Sequence, residues 1–123
     1  MSQSIKTLTK AEEEIMQVLW QLGKGTVNDI IAQLNEPKPA YNTVSTVVRI
    51  LENKGFASHE PQGRGFIYFP IVSKEIYSHK SLKDLAENYF KGSFKSMLSF
   101  FVEKKDIDLK DVEDLLQKLK KEK

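Results

Sequence analysis

A set of polar side chains recurs at helical spacing near the middle of the chain: Asn42, Thr46, Arg49 and Asn53. At about 100° per residue, they fall within roughly 60° of one another on one side of a helix. Arginine can form two hydrogen bonds with guanine, asparagine can do the same with adenine, and a threonine methyl group can contact thymine. This polar face therefore has the chemistry that reads base edges in double-stranded DNA. The simpler interpretation is the solvated side of an ordinary core helix.

The helix that carries these residues must be held by its opposite side. Apolar side chains occupy that side at helical spacing: Tyr41, Val44, Val47, Val48 and Leu51. The β-branched run of residues 43–48 is poor for an isolated helix, so packing against other elements has to stabilise it. We predict a helix from about Tyr41 to Lys54, which ends at Gly55.

Two helical segments precede this one. Thr9 and Glu12 have the spacing of a capping box, and Thr26 and Asp29 can cap a second helix in the same way. Apolar residues follow each cap at helical spacing: Ile15, Met16, Leu19 and Leu22 in the first helix, and Val27, Ile30, Ile31 and Leu34 in the second. Residues 35–40 contain two prolines and cannot continue a helix, so a third helix begins after them.

After Gly55 the sequence pattern changes to one that is typical of strands. Phe56–Glu60 and Gly65–Ile71 are short and rich in aromatic and β-branched residues, and they predict a β-hairpin with a four- or five-residue turn. A short strand near Gly25–Val27 would pair with this hairpin. Three helices followed by a hairpin are the order of a winged helix, and this order favours DNA binding over the simpler interpretation of the polar face. The fold class is mainly α with a small β-wing.

Arg64 lies at the tip of the predicted wing, between Gly63 and Gly65. A single arginine at a hairpin tip is usually solvated, but in a wing it can reach a phosphate or the minor groove. The predicted DNA-binding residues are Tyr41, Asn42, Thr43, Ser45, Thr46, Arg49 and Arg64.

The rest of the chain is helical and predicts a second function. We divide the sequence into a winged-helix DNA-binding domain, residues 1–72, and a helical dimerisation region, residues 73–123. Three short amphipathic helices of this length bury too little surface to be stable alone. They either fold back on their own winged helix or pair with a second copy, and a two-fold dimer matches a two-fold operator. The predicted dimerisation residues are Leu98, Phe101, Leu109, Val112, Leu115, Leu116 and Leu119.

Composition excludes several other classes of protein. The 123 residues include no cysteine and two histidines, His59 and His79. Thiol catalysis and thiolate copper or zinc sites are therefore excluded, and no nucleophile–base pair or P-loop is evident, so we expect no enzyme, cofactor or metal. We expect each histidine to be a surface residue. The opening residues lack the apolar stretch of a signal peptide, and no segment reaches the roughly 18 apolar residues of a membrane span. The sequence thus predicts a cytoplasmic protein without direct membrane association.

The net charge of +2 does not by itself indicate nucleic acid. Within residues 37–64, however, four basic residues (Lys38, Arg49, Lys54 and Arg64) stand against two acidic ones (Glu52 and Glu60). This local excess of positive charge is small, so the prediction of DNA binding rests on the pattern of elements and side chains.

Longer segments resemble the penicillinase-repressor family of bacterial regulators, which includes the repressors of β-lactamase and methicillin-resistance genes and copper-responsive relatives. The similar segments are the opening helix at 8–20, the recognition helix at 41–55, the wing at 63–68 and the tail at 89–104. The resemblance implies a homodimer that binds a palindromic operator and blocks transcription.

In the β-lactam-responsive branch, the resemblance also implies control by a membrane sensor protease that triggers cleavage in the tail. The bond cut in the best-known members aligns with Phe100-Phe101, and those members have asparagine where this chain has Phe100. Some members carry basic residues at the positions of Ser45 and Ile50. The operator sequence and the cleavage site therefore do not transfer directly.

Two other functions remain open at this stage. A winged helix can dock on a protein partner, which apolar residues on the outer face of the third helix would favour, and only Ile50 is apolar there. A DNA-binding regulator could also sense a small ligand among the aromatic residues of its tail.

Overall fold

The computed structural model describes residues 6–121; the opening residues, in which the sequence predicts no targeting segment, lie outside this range. The described residues form six helices and a two-stranded antiparallel sheet, as the predicted fold class requires. In chain order these are α1 (Lys10–Leu22), α2 (Val27–Gln33), α3 (Tyr41–Asn53), β1 (Ala57–Gln62), β2 (Gly65–Pro70), α4 (Lys74–Phe90), α5 (Phe94–Glu103) and α6 (Leu109–Lys121). No helix within residues 6–121 is long and apolar enough to cross a membrane.

Both predicted capping boxes are present. The Thr9 hydroxyl accepts from the Glu12 amide at 3.2 Å, and the Glu12 carboxylate accepts from the Thr9 amide at 3.0 Å. Thr26 and Asp29 form the same reciprocal pair, at 3.1 and 3.0 Å, at the start of α2. Each box satisfies two amide groups that the first turn of a helix leaves without backbone partners.

A single apolar core joins α1, α2, α3 and the hairpin. Its fully buried side chains are Phe56, Met16, Leu19, Ile30, Leu51, Val44 and Val48. The prediction that Val44, Val48 and Leu51 face the core is therefore correct. Val47 is partly buried against the core. Tyr41 differs, because it begins the helix at the edge of the core and is 54% exposed.

The hairpin is tighter than the sequence predicts. Strand pairing continues to Gln62 and Gly65, which leaves Gly63-Arg64 as a two-residue turn instead of the predicted four or five residues. Gly63 adopts φ +60, the left-handed conformation that such turns need. Pro61 pairs with Phe66, next to the pair that closes the turn. Antiparallel pairs alternate between hydrogen-bonded and non-hydrogen-bonded, and Pro61, which lacks an amide hydrogen, occupies a non-hydrogen-bonded position. The strand expected near Gly25–Val27 is reduced to a bridge between Gly25 and Tyr68.

A partly buried ion pair connects the start of α1 with the end of α3. The Lys54 ammonium lies 2.6 Å from a carboxylate oxygen of Glu12, which is 6% exposed. Burial alone would raise the pKa of Glu12, but the hydrogen bonds from Lys54 and Thr9, together with the charge of Lys54, outweigh burial and lower the pKa. Glu12 is thus ionised inside the fold. Its carboxylate binds the Thr9 amide in the cap of α1 and the ammonium group of Lys54, the residue that follows α3.

The chain divides into two compact units, and the boundary lies between Lys80 and Ser81. The first unit includes the start of α4, because Tyr77 is buried against Phe56 and Trp20. The Tyr77 hydroxyl accepts from the Leu8 amide and donates to Glu13, both at 3.1 Å. The boundary predicted after residue 72 separates two functions, DNA binding and dimerisation, and it stays a prediction.

The second unit contains the rest of α4 with α5 and α6. Ser93 caps α5 by accepting from the Ser96 amide at 3.0 Å, and Asp108 accepts from the Lys110 amide at 3.1 Å at the start of α6. Phe100 of α5 packs its ring 5.6 Å from that of Phe90.

Candidate nucleic-acid interface

A surface groove of about 700 Å³ separates α3 from the hairpin. Its walls come from the start of α2, one side of α3 and both strands of the hairpin. The lining residues are Thr26, Val27, Asn28, Tyr41, Asn42, Ser45, Arg49, Glu52, His59, Gln62, Arg64, Gly65, Phe66 and Tyr68. The groove therefore combines the polar side of α3 with the wing, as a winged helix requires of its DNA-binding surface.

Most of the predicted site residues meet in this groove. Tyr41, Asn42, Ser45 and Arg49 enter it from α3, and Arg64 enters it from the hairpin turn. Ser45 is buried, with 9% of its surface exposed, so only a small part of it can face a ligand.

Two predicted residues, Thr43 and Thr46, are exposed on α3 but do not line the groove. Thr46 donates its hydroxyl hydrogen to the backbone oxygen of Asn42 at 2.8 Å. This bond fixes the hydroxyl and leaves the threonine methyl group as the part that can contact a base.

The packing of α3 explains how this surface is fixed. Val44, Val48 and Leu51 are buried almost completely, so the opposite side of the helix must face outward. Ala40, the residue before α3, provides no side-chain cap. The first amide groups of α3 therefore remain available to an anion, which helix starts bind well.

The two arginines of the groove carry unneutralised charge. Among the described residues, the ion pairs near the groove are Lys24–Glu60 and His59–Glu52, and neither Arg49 nor Arg64 takes part in one. Both guanidinium groups are consequently free for phosphates or base edges.

Sequence reasoning missed several residues of the groove. Glu52 and His59 face each other with 2.5 Å between a carboxylate oxygen and Nδ1, and Tyr68 lies directly opposite His59 in the sheet. Burial, and then the negative charge of Glu52, raise the pKa of Tyr68, so its phenol stays protonated. The pairing register of the hairpin places His59 of β1 opposite Tyr68 of β2 on one face, but no sequence signal connects that face to Glu52.

Three helices, a hairpin and a groove lined with arginine and asparagine define a winged helix-turn-helix DNA-binding protein. A family model described as Penicillinase repressor matches residues 8–121. The chain belongs to this family of DNA-binding transcriptional repressors, which are not enzymes. The predicted family, fold class and non-enzymatic function are thereby confirmed.

Individual relatives agree with this membership. The methicillin resistance regulatory protein MecI of Staphylococcus aureus (strain N315) is 29% identical over 115 residues, 93% of this chain and 94% of MecI. The penicillinase repressor of Bacillus licheniformis is 26% identical over 120 residues, 97% of this chain and 94% of that protein.

Solved structures match the part of the chain that carries the groove. The DNA-binding domain of the repressor BlaI superimposes with a TM-score of 0.53 at 28% identity, and covers 62% of this chain and 94% of that domain. The monomeric form of Bacillus licheniformis BlaI, in complex with the blaP half-operator, gives a TM-score of 0.50 at 29% identity, over 60% of this chain and 92% of that one.

Proposed function

We propose that this repressor acts as a homodimer on a palindromic operator, with α3 of each copy in the major groove and the hairpin against the backbone or minor groove. The observation that carries this proposal is the groove, in which Arg49 and Arg64 are free of ion pairs beside Asn42. BlaI binds a half-operator in its monomeric form. The equivalent part of this chain would bind one half of its own operator.

Within this interface we assign two kinds of contact. Asn42, Thr46 and Arg49 would read base edges from α3, because their groups match adenine, thymine and guanine. Arg64, at the tip of the wing, would bind a phosphate or enter the minor groove, and it would position the protein on the duplex. Tyr41, Thr43 and Ser45 would complete the surface near the start of α3.

Replacing Arg49 with alanine is expected to weaken operator binding by about 1–3 kcal/mol, because a two-hydrogen-bond contact with guanine is lost. Specificity should relax at one position of each half-operator. Fluorescence anisotropy with the DNA upstream of the chain's own gene, and with single-base variants of it, measures both effects. Lys10→Ala, an exposed cation outside the groove, is the matched control and should bind normally.

The result on random DNA decides the role of Arg49. An equal loss on operator and random DNA would make Arg49 a phosphate contact instead of a base contact. No loss on either DNA would place the interface elsewhere on the molecule.

The tail supports the dimer through apolar side chains that the single chain leaves uncovered. Leu98, Leu109, Leu115, Leu116 and Leu119 are each between 43% and 55% exposed. An apolar groove of about 580 Å³ lies between α5 and α6, and Leu98, Val102, Leu109 and Val112 line it. Helices of a second copy would cover these apolar residues and would bury few polar groups in doing so. A small apolar ligand is the other occupant that the groove would accept, and it would leave the chain monomeric.

We further propose that cleavage in the tail, triggered by a membrane sensor protease, relieves repression. The Phe100-Phe101 bond lies inside α5, with the two rings 6.1 Å apart and Phe101 half-buried. A protease would reach this bond only after local unfolding of α5. In cells exposed to a β-lactam we expect a fragment that ends at Phe100, measurable by mass spectrometry of the purified protein. An intact chain in fully derepressed cells would contradict cleavage as the signal.

A further inference from the structure

One acidic side chain lies among the cations of the groove. Glu52 is on the same side of α3 as Arg49, and its carboxylate contacts Nδ1 of His59 on β1. The imidazole ring also contacts two aromatic rings, with centroids 4.7 Å apart in an edge-on arrangement with Phe66 and 5.6 Å apart in a tilted arrangement with Tyr68. Three neighbours therefore fix the ring, although 39% of the His59 side chain is exposed.

The second ring nitrogen of His59 remains available to a ligand. Within residues 6–121, no protein group forms a hydrogen bond with Nε2, and the ring lines the groove together with Arg49 and Arg64. With a neutral imidazole, the pair of His59 and Glu52 has a net negative charge, which repels DNA phosphates. With a protonated imidazole the pair is neutral, and Nε2–H becomes a charge-assisted donor.

We propose that His59 contacts a DNA phosphate as an imidazolium, with Glu52 as the positioning residue that holds Nδ1. DNA binding then takes up a proton from the solvent at this ring. The inference rests on the proposed DNA interface, and it adds a contact that is coupled to protonation.

The charged groups around His59 act in both directions. Glu52 from α3 and the incoming phosphate favour the protonated ring, whereas Arg49 from α3 and Arg64 from the turn oppose it. Tyr68 of β2 is held as a neutral phenol. Glu60, next to His59 in the chain, is paired with Lys24 at 2.9 Å. A DNA phosphate would add one more negative charge beside the ring, next to that of Glu52.

The test compares DNA binding by the full-length chain at about pH 6 and about pH 8, the range in which histidine changes its charge. The wild type should bind about tenfold more tightly at the lower pH, an effect close to that of one charge-assisted hydrogen bond. Its salt slope should also be steeper by about 1, since one more phosphate is neutralised. His59→Gln should lose both differences. His79→Gln replaces the other histidine, which is exposed on α4, and should keep them.

Calorimetry of the wild type provides a measurement that needs no variant. Binding enthalpies in two buffers of different ionisation enthalpy should show net proton uptake near neutral pH. The effect should appear on operator and random DNA alike, because phosphates are common to both.

The possible failures can be told apart. A His59→Gln variant that keeps the pH dependence, a wild type that takes up no proton, or an effect confined to operator DNA would each overturn the inference. If Arg49→Ala still weakens binding in those cases, the proposed DNA interface is correct but does not include the His59 contact. If neither Arg49→Ala nor His59→Gln changes binding at any pH, the interface itself is wrong.

Discussion

A chain that ends at Lys80 is expected to be monomeric and to bind a full operator roughly 100- to 10,000-fold more weakly than the full-length chain. Removal of the second unit takes away the uncovered leucines of α5 and α6, and with them the link between two DNA-binding units. Binding to a half-operator should change little, because the groove lies entirely in the first unit. Sedimentation and anisotropy on full and half operators measure these effects.

The choice of Lys80 as the end of this chain follows from the packing of Tyr77. The sequence boundary after residue 72 suggests ending the chain at Ile71. That end would remove Tyr77 from the core and would leave the Leu8 amide without its partner. A loss of DNA binding would then report unfolding instead of a missing dimer.

A point substitution tests the same interface in the full-length chain. Leu116→Glu places a charge on the apolar side of α6, and it should dissociate the dimer and lower affinity for the full operator only. Gln117→Glu adds the same charge about 100° around the helix, on its polar side, and should leave the dimer intact. A stable dimer of residues 1–80, or a Leu116→Glu variant that stays dimeric, would show that the tail does not mediate dimerisation.

Features that depend on residues near one another in sequence were predictable for this chain. The capping residues Thr9 and Thr26 set the starts of two helices, and both caps are observed. The third helix was predicted within one residue of its end at Asn53. These features follow from local hydrogen bonds and from the period of the apolar side chains, both of which can be read directly.

Features that depend on residues far apart in sequence were not predictable. The sequence places Tyr77 among the aromatic residues of the tail, but its side chain is buried in the core of the first unit beside Phe56. The contact between Glu52 and His59 needs the hairpin to fold back on α3, and the two-residue turn that sets its register was predicted too long. The polar face of α3 was found from periodicity, but the groove that includes it requires the wing.

Replacing Lys54 with methionine is expected to destabilise the fold by about 1–3 kcal/mol, which is no more than the lower end of the cost of breaking a buried ion pair, because the Lys54 side chain is 24% exposed. Methionine keeps most of the apolar stem but leaves the Glu12 carboxylate buried, with the Thr9 amide as its remaining partner. Urea unfolding at neutral pH, followed by circular dichroism, measures the loss. Lys10→Met removes an exposed lysine from the start of α1, and it should change stability by less than about 0.5 kcal/mol.

The dependence on pH separates lost charge from lost packing. In the wild type the pKa of Glu12 is lowered from 4.5, so its contribution to stability is complete above that value and is lost as the pH falls through the lower folded value. Without Lys54, a hydrogen bond and a positive charge that lower the pKa of Glu12 are both lost, so the variant protonates this carboxyl more readily than the wild type does. The difference in unfolding free energy between wild type and Lys54→Met should therefore shrink as the pH falls below 4.5. A difference that stays constant through the acid range would assign the loss to the packing of the Lys54 stem instead of its charge.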